Sequence, residues 1–442
     1  MVDYLNIWVD KLIKFRYIDS GLSIYSNRKR EGWVNLYYKR HAAESILKLS
    51  KMFGAVLVTG ARQVGKTTLL KNIIHNAGYI SLDDLIQLSN ALEHWGTFFQ
   101  DNPPPIFVDE IQYAPNLFPQ IKIILDRDRK KGQFFLSGSQ QFRMMKNVSE
   151  SLAGRLGILN LLGLSLRELS DIPFSEPFLP TDDYFAQRQK MATKVSDTDI
   201  WQIIHRGSMP ELCANPDFDQ QMFYGAYVKT YIERDVRDLT QVGDEVEFLK
   251  FMTVVASRTG QLLNLTSLAH DVGITYPTAK RWLSVLITSN LIYLLPPYHN
   301  NIAKRTIKMP KLFFLDTGLA AYLTRWNTPD VLRNGAMAGM FFETFVITEI
   351  IKSYSNKGVL EAPLYFYRDH DGNEIDLLIE NDGVLHPIEI KKYADPSKSD
   401  TKKFALLDKF PNMKRGQGGI VCLYDNLITL SNHDKAIPIT SI

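Results

Sequence analysis

Eight residues, Gly60-Ala61-Arg62-Gln63-Val64-Gly65-Lys66-Thr67, follow an apolar run (Ala55 to Val58) and lead through Thr68 into a helical stretch reaching about His75. The residue types suit the binding of phosphate. Gly60 and Gly65 let bare backbone N–H groups turn inward around phosphate oxygens. Lys66 brings a point charge to the outer phosphates, and Thr67 offers a hydroxyl to Mg²⁺. A helix that starts here aims its positive end at the nucleotide. A chance glycine turn would need neither the lysine nor the threonine. The segment therefore predicts ATP and Mg²⁺ as cofactors, held by residues 60–68.

A second apolar run, Ile106-Phe107-Val108, ends in Asp109-Glu110 about 43 residues after Lys66. In a P-loop ATPase the first acid at such a strand end holds Mg²⁺, and the second polarises the attacking water. The spacing leaves room for a helix, a strand and a further helix between the motifs. Phe134-Phe135-Leu136 then runs into Ser137-Gly138-Ser139. Strand tips of a parallel sheet share one edge, so Ser139 is a candidate for orienting the water; a serine-rich turn is the alternative. Arg155, at the end of Ser151-Leu152-Ala153-Gly154-Arg155, has the planar, permanently charged fork suited to a transferring phosphoryl group. The catalytic candidates are Lys66, Glu110, Ser139 and Arg155, and the Mg²⁺ candidates are Thr67 and Asp109.

A third set lies near the C-terminus. Residues 373–380 and 384–391 flank Asn381-Asp382-Gly383, and Asp-Gly is a strong two-residue hairpin signal. With that turn, Asp376 faces Glu389 and Glu374 faces Lys391 on one side of the ribbon. Two facing carboxylates require a metal or a pKa shift. Asp376, Glu389 and Lys391 resemble the metal-dependent PD-(D/E)XK nuclease core, with Glu343, on an apolar helical stretch expected at 340–351, as a further acid. A three-residue loop would slip the register and break the geometry. His386, beside Pro387, reads as structural.

Residues 266–290 have the pattern of a helix-turn-helix: Leu268, Ala269 and Val272 form an apolar face, Gly273 permits the turn, Thr275 caps the next helix and Pro277 sits in its first turn. Lys280 and Arg281 are displayed outward, and Leu291–Leu295 could form a wing strand. Such a unit can enter a major groove or pack against protein. Lys304, Arg305, Lys308 and Lys311, with no acid among them, favour nucleic acid.

The elements that position these residues follow from periodicity. Strands expected at 55–59, 78–82, 106–109, 133–136 and 157–165 alternate with helices, which predicts a parallel sheet covered on both faces. Between 173 and 245 the pattern is helical and includes the charged stretch Tyr231–Leu239. Leu5, Trp8, Leu12 and Phe15 recur at helical spacing ahead of Arg28-Lys29-Arg30. At 442 residues the chain is long enough for two to four domains, and a net charge of +3 gives no global basic field. Cys213 and Cys422 form no CxxC pair, which argues for a reducing compartment and against structural zinc. No apolar run approaches the ~20 residues of a membrane span. With Asp3 and Asp10 near its start, the N-terminus does not read as a secretion signal. The location expected is cytoplasmic, with no membrane partner.

Taken in order, Gly60–Leu70, Val108–Gln112, Leu136–Ser139 and Leu152–Arg155 resemble a family of prokaryotic AAA+-superfamily ATPases. Arg206-Gly207-Ser208-Met209-Pro210-Glu211, Tyr231–Asp235, Phe314–Leu319 and Phe342-Glu343 extend the likeness over roughly 37–400. Gly207-Ser208-Met209-Pro210-Glu211 departs mildly from the family's usual Gly-Gly-Phe-Pro-Glu. The resemblance implies an α/β fold: an AAA+ sheet of order 5-1-4-3-2 (37–172), a helical lid (173–245), a winged helix (246–300) and a restriction-endonuclease-like end (301–442); residues 1–36 fall outside the likeness and are read as an N-terminal extension. The function expected is ATP hydrolysis coupled to binding, or cleavage, of double-stranded DNA. The alternative is an ATP-switched scaffold that binds protein or itself and carries an inactive nuclease-like domain.

Overall fold

The computed structural model describes residues 37–139, 152–189, 197–232, 245–299, 309–410 and 413–442. The helical pattern at Leu5–Phe15, the basic Arg28-Lys29-Arg30, residues 233–239 and Lys304, Arg305 and Lys308 lie outside the described residues.

Five strands, β1 (Ala55–Thr59), β2 (Gly78–Ser81), β3 (Ile106–Asp109), β4 (Phe134–Gly138) and β5 (Leu156–Asn160), pair in parallel in the order β2-β3-β4-β1-β5. Read from the opposite edge this is 5-1-4-3-2. The fifth strand stops at Asn160, not at 165 as expected. Successive strand residues point to opposite faces. Val56, Val58, Phe107 and Phe135 therefore pack with α1 (Ala42–Met52) and α2 (Lys66–Ile73). Ala55, Leu57, Val108, Phe134 and Leu136 pack on the other face with α3 (Leu85–Glu93), α4 (Phe98–Asp101) and α5 (Leu117–Asp128). Burial on both faces is why these strands read as unbroken apolar runs. Parallel pairing brings Thr59, Ser81, Asp109 and Gly138 to one edge of the sheet.

Helices Asp182–Gln189, Asp197–Arg206, Pro210–Ala214 and Gln220–Tyr231 follow. Next come Glu245–Ala256, Leu265–Val272 and Tyr276–Thr288, with β6 (Gln261–Leu262), β7 (Ile292–Leu295) and β8 (Lys311–Phe314) in an antiparallel sheet of order β6-β8-β7. The strand between β6 and β7 thus comes from beyond the limit expected at 300. Gly273, at φ 88°, ends the second of these helices, and Thr275 accepts the Thr278 N–H at 3.3 Å to begin the third.

The long helix Ala338–Asn356 exceeds the expected 340–351 at both ends, and it is buried along most of its length. It leads to a seven-stranded mixed sheet: β9 (Leu364–Arg368), β10 (Glu374–Asn381), β11 (Val384–Ile390), β12 (Lys414–Arg415), β13 (Gly418–Cys422), β14 (Ile428–Thr429) and β15 (Asp434–Pro438). Their order is β14-β15-β13-β11-β10-β9, with β12 beside β11. Asp382 (φ 49°) and Gly383 (φ 77°) make the tight turn, and Leu377 pairs with Ile388 through to Asn381 with Val384. Both cysteines are buried and free. Among the described residues no helix is long and apolar enough to cross a membrane.

Candidate active site at the strand tips

The loop between β1 and α2 carries Gly60 at φ 145°, Gln63 at 60° and Gly65 at 89°. A Cβ on Gly60 would lie 2.1 Å from the Leu161 carbonyl oxygen, so only glycine fits beneath the loop. Gly65 precedes the first turn of α2 in the left-handed conformation. The buried Lys66 ammonium donates to the Gly60 and Ala61 carbonyls at 3.0 and 2.8 Å, which holds its charge over the loop. Arg62 reaches the Tyr113 hydroxyl. Burial raises that phenol's pKa, and Arg62 acts against it.

Asp109 is the hub of the site. The Thr67 hydroxyl donates to its Oδ2 at 2.8 Å, and the Tyr79 hydroxyl lies 3.3 Å from the same oxygen. Ser137 donates to Oδ1. Glu110, next in sequence, has left-handed backbone at φ 57° and ψ 44°, unusual for a residue with a side chain. The Gln112 amide donates to its carboxylate and lies 3.5 Å from the Ser139 hydroxyl. An oxygen-donor set of Thr67 and Asp109 fits Mg²⁺. The glycine loop, with Lys66, fits phosphate.

Arg40, just ahead of α1, was not singled out from the sequence. It is 4% exposed, and it donates to the Val64 carbonyl within the loop (2.7 Å), the Leu162 carbonyl (2.7 Å) and Glu168 Oε1 (3.0 Å). Glu168 also accepts the His41 and Ser165 N–H groups, both at 2.8 Å. Burial alone would raise the Glu168 carboxyl; Arg40 is the largest opposing influence, and the pKa ends below its usual value. The helix Ala338–Asn356 joins the same segment: Glu349 accepts the Leu166 N–H at 2.7 Å, and Lys352 donates to the Leu164 carbonyl at 2.9 Å.

Ser139 meets the site through Gln112 and not through Asp109, and Arg155 stands elsewhere. Ser137, not Ser139, contacts the hub, because Val108 is level with Leu136 and Asp109 is therefore level with Ser137. Arg155 precedes β5 and so sits at the edge opposite the strand tips, where it pairs with Asp126 at 2.5 Å and its backbone carbonyl accepts the Ala55 N–H. It cannot reach the nucleotide loop of its own chain. The Gly207-Ser208 and Asp316 motifs meet each other: Asp316 accepts the Ser208 N–H (2.7 Å) and hydroxyl (2.8 Å) and the Tyr224 hydroxyl (2.7 Å). This knot flanks the loop, with Pro210 Cγ 3.7 Å from where a Gly65 Cβ would be.

In the C-terminal sheet the register is the one that sets Asp376 against Glu389. Asp376 Oδ2 accepts the Ile390 N–H at 2.8 Å. The expected Glu374–Lys391 pairing gives way to other partners: Lys391 bonds Glu389 Oε1 at 3.0 Å, whereas Glu374 pairs with Lys311 at 2.5 Å. Glu343 also lies against Lys311, at 2.9 Å. Lys311 is therefore a buried ion-pair partner, not a cation displayed to nucleic acid. Burial, with Asp376 next, pushes Glu389 up to about 8. Burial also pushes Glu343 up to about 7, against the pull of Lys311. Among the described residues no three His, Cys, Asp or Glu side chains are grouped so that they could hold a metal. His386 Nδ1 lies 2.7 Å from the Gln417 carbonyl, in keeping with a structural role.

Residues 53–170 match an AAA domain family; residues 197–330 and 338–442 match two domains of unknown function (DUF8612 and DUF4143). Uncharacterized proteins of Mycobacterium tuberculosis and Mycobacterium bovis are each 27% identical over 412 residues, 92% of this chain and 85% of theirs. An uncharacterized protein of Methanocaldococcus jannaschii is 23% identical over 332 residues, 69% of each. Among solved structures, a Walker-type ATPase of Pyrococcus abyssi is 14% identical and covers 65% of this chain and 96% of its own, with a TM-score of 0.42. These matches assign no role to the chain beyond the sheet. The nucleotide-loop geometry and the AAA domain match coincide on residues 53–170, whose fold is that of a P-loop α/β unit.

Proposed function

We propose that this chain binds and hydrolyses ATP and couples its nucleotide state to DNA handled by residues 245–314 and by the C-terminal sheet. The observation that carries the first part is the convergence of Thr67, Ser137 and Tyr79 on Asp109 beside the glycine loop. Lys66 would meet the outer phosphates, Thr67 and Asp109 would hold Mg²⁺, and Glu110, steadied by Gln112, would draw a proton from the attacking water. Bound Mg²⁺ supplies charge neutralisation at the phosphates. Arg155 would serve only a neighbouring copy's site.

Coupling is supported by a hydrogen-bonded route. It runs from Val64 through Arg40 and residues 162–168 to Glu349, on the helix that also carries Glu343. DNA binding is supported by the exposed Lys280 and Arg281 on the Tyr276–Thr288 helix. The nuclease reading is supported by the facing of Asp376 and Glu389 with Lys391 alongside. The alternative, an ATP-switched scaffold with an inactive nuclease-like domain, is favoured by the absence of a three-ligand metal group among the described residues.

The test is ATP turnover and binding in two variants. Lys66→Ala is expected to lose ATP affinity, because Lys66 contacts phosphate in the ground state. Glu110→Gln is expected to bind ATP and retain it unhydrolysed, because Glu110 acts on the water only during reaction. Unchanged turnover in Glu110→Gln would remove Glu110 from that role. Duplex binding that weakens steeply with salt would favour DNA over the scaffold reading.

A further inference from the structure

Lys311 is out of place for a lysine. It lies on β8, at the centre of the small sheet of residues 261–314, yet its side chain leaves that unit and enters the C-terminal one. Only 4% of the residue is exposed. Its ammonium lies 2.9 Å from Glu343 on the long helix and 2.5 Å from Glu374 on β10, so one cation ties together carboxylates from two separate elements. Asp376, two residues beyond Glu374, lies where β10 is irregular between Ile375 and Leu378, and it interacts electrostatically with Lys311, Glu343 and Glu389. At the far side of this acidic row, Glu389 is 2% exposed and its Oε2 has no hydrogen-bond partner. A buried carboxylate oxygen without a partner is costly, and it marks a place where a further positively charged or donor group fits.

We infer that Lys311 is an internal plug for the C-terminal site: its ammonium holds the Glu343 end of the carboxylate row and keeps a divalent cation from binding along Asp376 and Glu389 until β8 withdraws. The inference rests on the proposed metal site and specifies how that site is regulated. Lys311 bonds neither Asp376 nor Glu389, but it interacts electrostatically with Asp376, and its charge repels a second cation crowded into the same buried site. Lys391 and Lys403 belong to the C-terminal unit itself, and they approach Glu389 at 3.0 and 4.0 Å. Lys311 alone of these lysines is anchored in the neighbouring unit, so it alone is carried away by relative movement of the two. Since β8 directly precedes the Asp316 knot beside the glycine loop, that movement has a physical link to the nucleotide site.

The experiment is titration of the full-length protein with Mn²⁺, without nucleotide, following free Mn²⁺ by electron paramagnetic resonance. Lys311→Met is expected to bind Mn²⁺ at least about tenfold more tightly than the wild type, and adding Glu389→Ala to it should abolish the gain. Lys311→Arg, which keeps the plug's charge, should stay close to wild type. If Lys311→Met fails to fold, judged by its melting transition, Glu374→Gln serves in its place. That variant removes one of the ammonium's two anchors, and Mn²⁺ should bind more tightly by a smaller factor. Equal Mn²⁺ affinity in wild type and the loosened variant, with both lost on Glu389→Ala, would overturn the plug and leave the metal site standing. No binding above the Glu389→Ala background in any variant would overturn the metal site, and the plug with it.

Discussion

Replacing Arg40 with methionine keeps most of the side-chain volume and removes the guanidinium. Three acceptors then lose their donor: the Val64 carbonyl in the nucleotide loop, the Leu162 carbonyl and the fully buried Glu168 carboxylate. Breaking a buried ion pair by removing one partner costs roughly 3–5 kcal/mol. Glu168 retains the His41 and Ser165 N–H donors, so about 3 kcal/mol, the lower end, is the expected loss. The freed Val64 carbonyl should add a functional loss, because it no longer has a partner that turns it away from the phosphate side. ATP affinity, read with a fluorescent analogue, is expected to fall by about tenfold, or ~1.4 kcal/mol. The double variant Arg40→Met/Glu168→Gln removes the uncompensated charge but keeps an acceptor for only one of the two N–H groups, which bond different oxygens of Glu168. It should therefore recover part of the stability but little of the affinity. Arg40→Met that melts with the wild type and binds ATP equally well would refute the argument.

Gly60→Ala should abolish ATP binding and lower stability, since φ 145° costs about 1–3 kcal/mol for a residue with a side chain and its Cβ would strike the Leu161 carbonyl oxygen; Gly339→Ala, whose Cβ meets nothing within 4 Å, is the matched control in ATP titration and thermal melting. Burial lowers the pKa of His205, whose Nε2 lies 2.7 Å from the Trp326 carbonyl, so the folded chain binds this proton less readily than the unfolded one. Its contribution to stability is full above the unfolded value of about 6.5 and is lost as pH falls through the folded value. The melting temperature of His205→Gln should consequently decline less between about pH 7 and 5 than that of the wild type; parallel declines would refute this.

The nucleotide loop and the strand ending in Asp109 were legible because their chemistry is local. A phosphate cradle needs its glycines, lysine and threonine within one turn, and doubly covered strands show as solid apolar runs. The Asp382-Gly383 turn likewise fixed the register of β10 and β11. Choosing between Ser137 and Ser139 required the register of two parallel strands, and no turn connects them to reveal it. Arg40 meets Glu168 only through the folded chain, across 128 residues of sequence, and no spacing announces it. Lys311 looked like one more surface cation because the acids that enclose it follow 32 and 63 residues later. Arg155 is a different case, expected at a transferring phosphoryl group and found away from its own chain's loop. A residue that precedes a parallel strand lies at the edge opposite the tips, so topology alone could have placed it.

The Ala338–Asn356 helix also bears on how the protein is made. Ser45 on α1 donates to the Asn356 carbonyl at 2.7 Å, and Lys352 and Glu349 satisfy backbone groups at 164 and 166. The sheet of residues 55–160 emerges from the ribosome long before this helix does. At about 5–20 residues per second the delay is roughly 10–40 s. Throughout that time the surface that will receive the helix is bare, and its buried backbone groups have only water as a partner. The nucleotide domain therefore reaches its finished form late, after most of the chain has been synthesised, when Phe341, Phe342, Phe345 and Ile350 join the apolar cluster that holds Val56 and Val58.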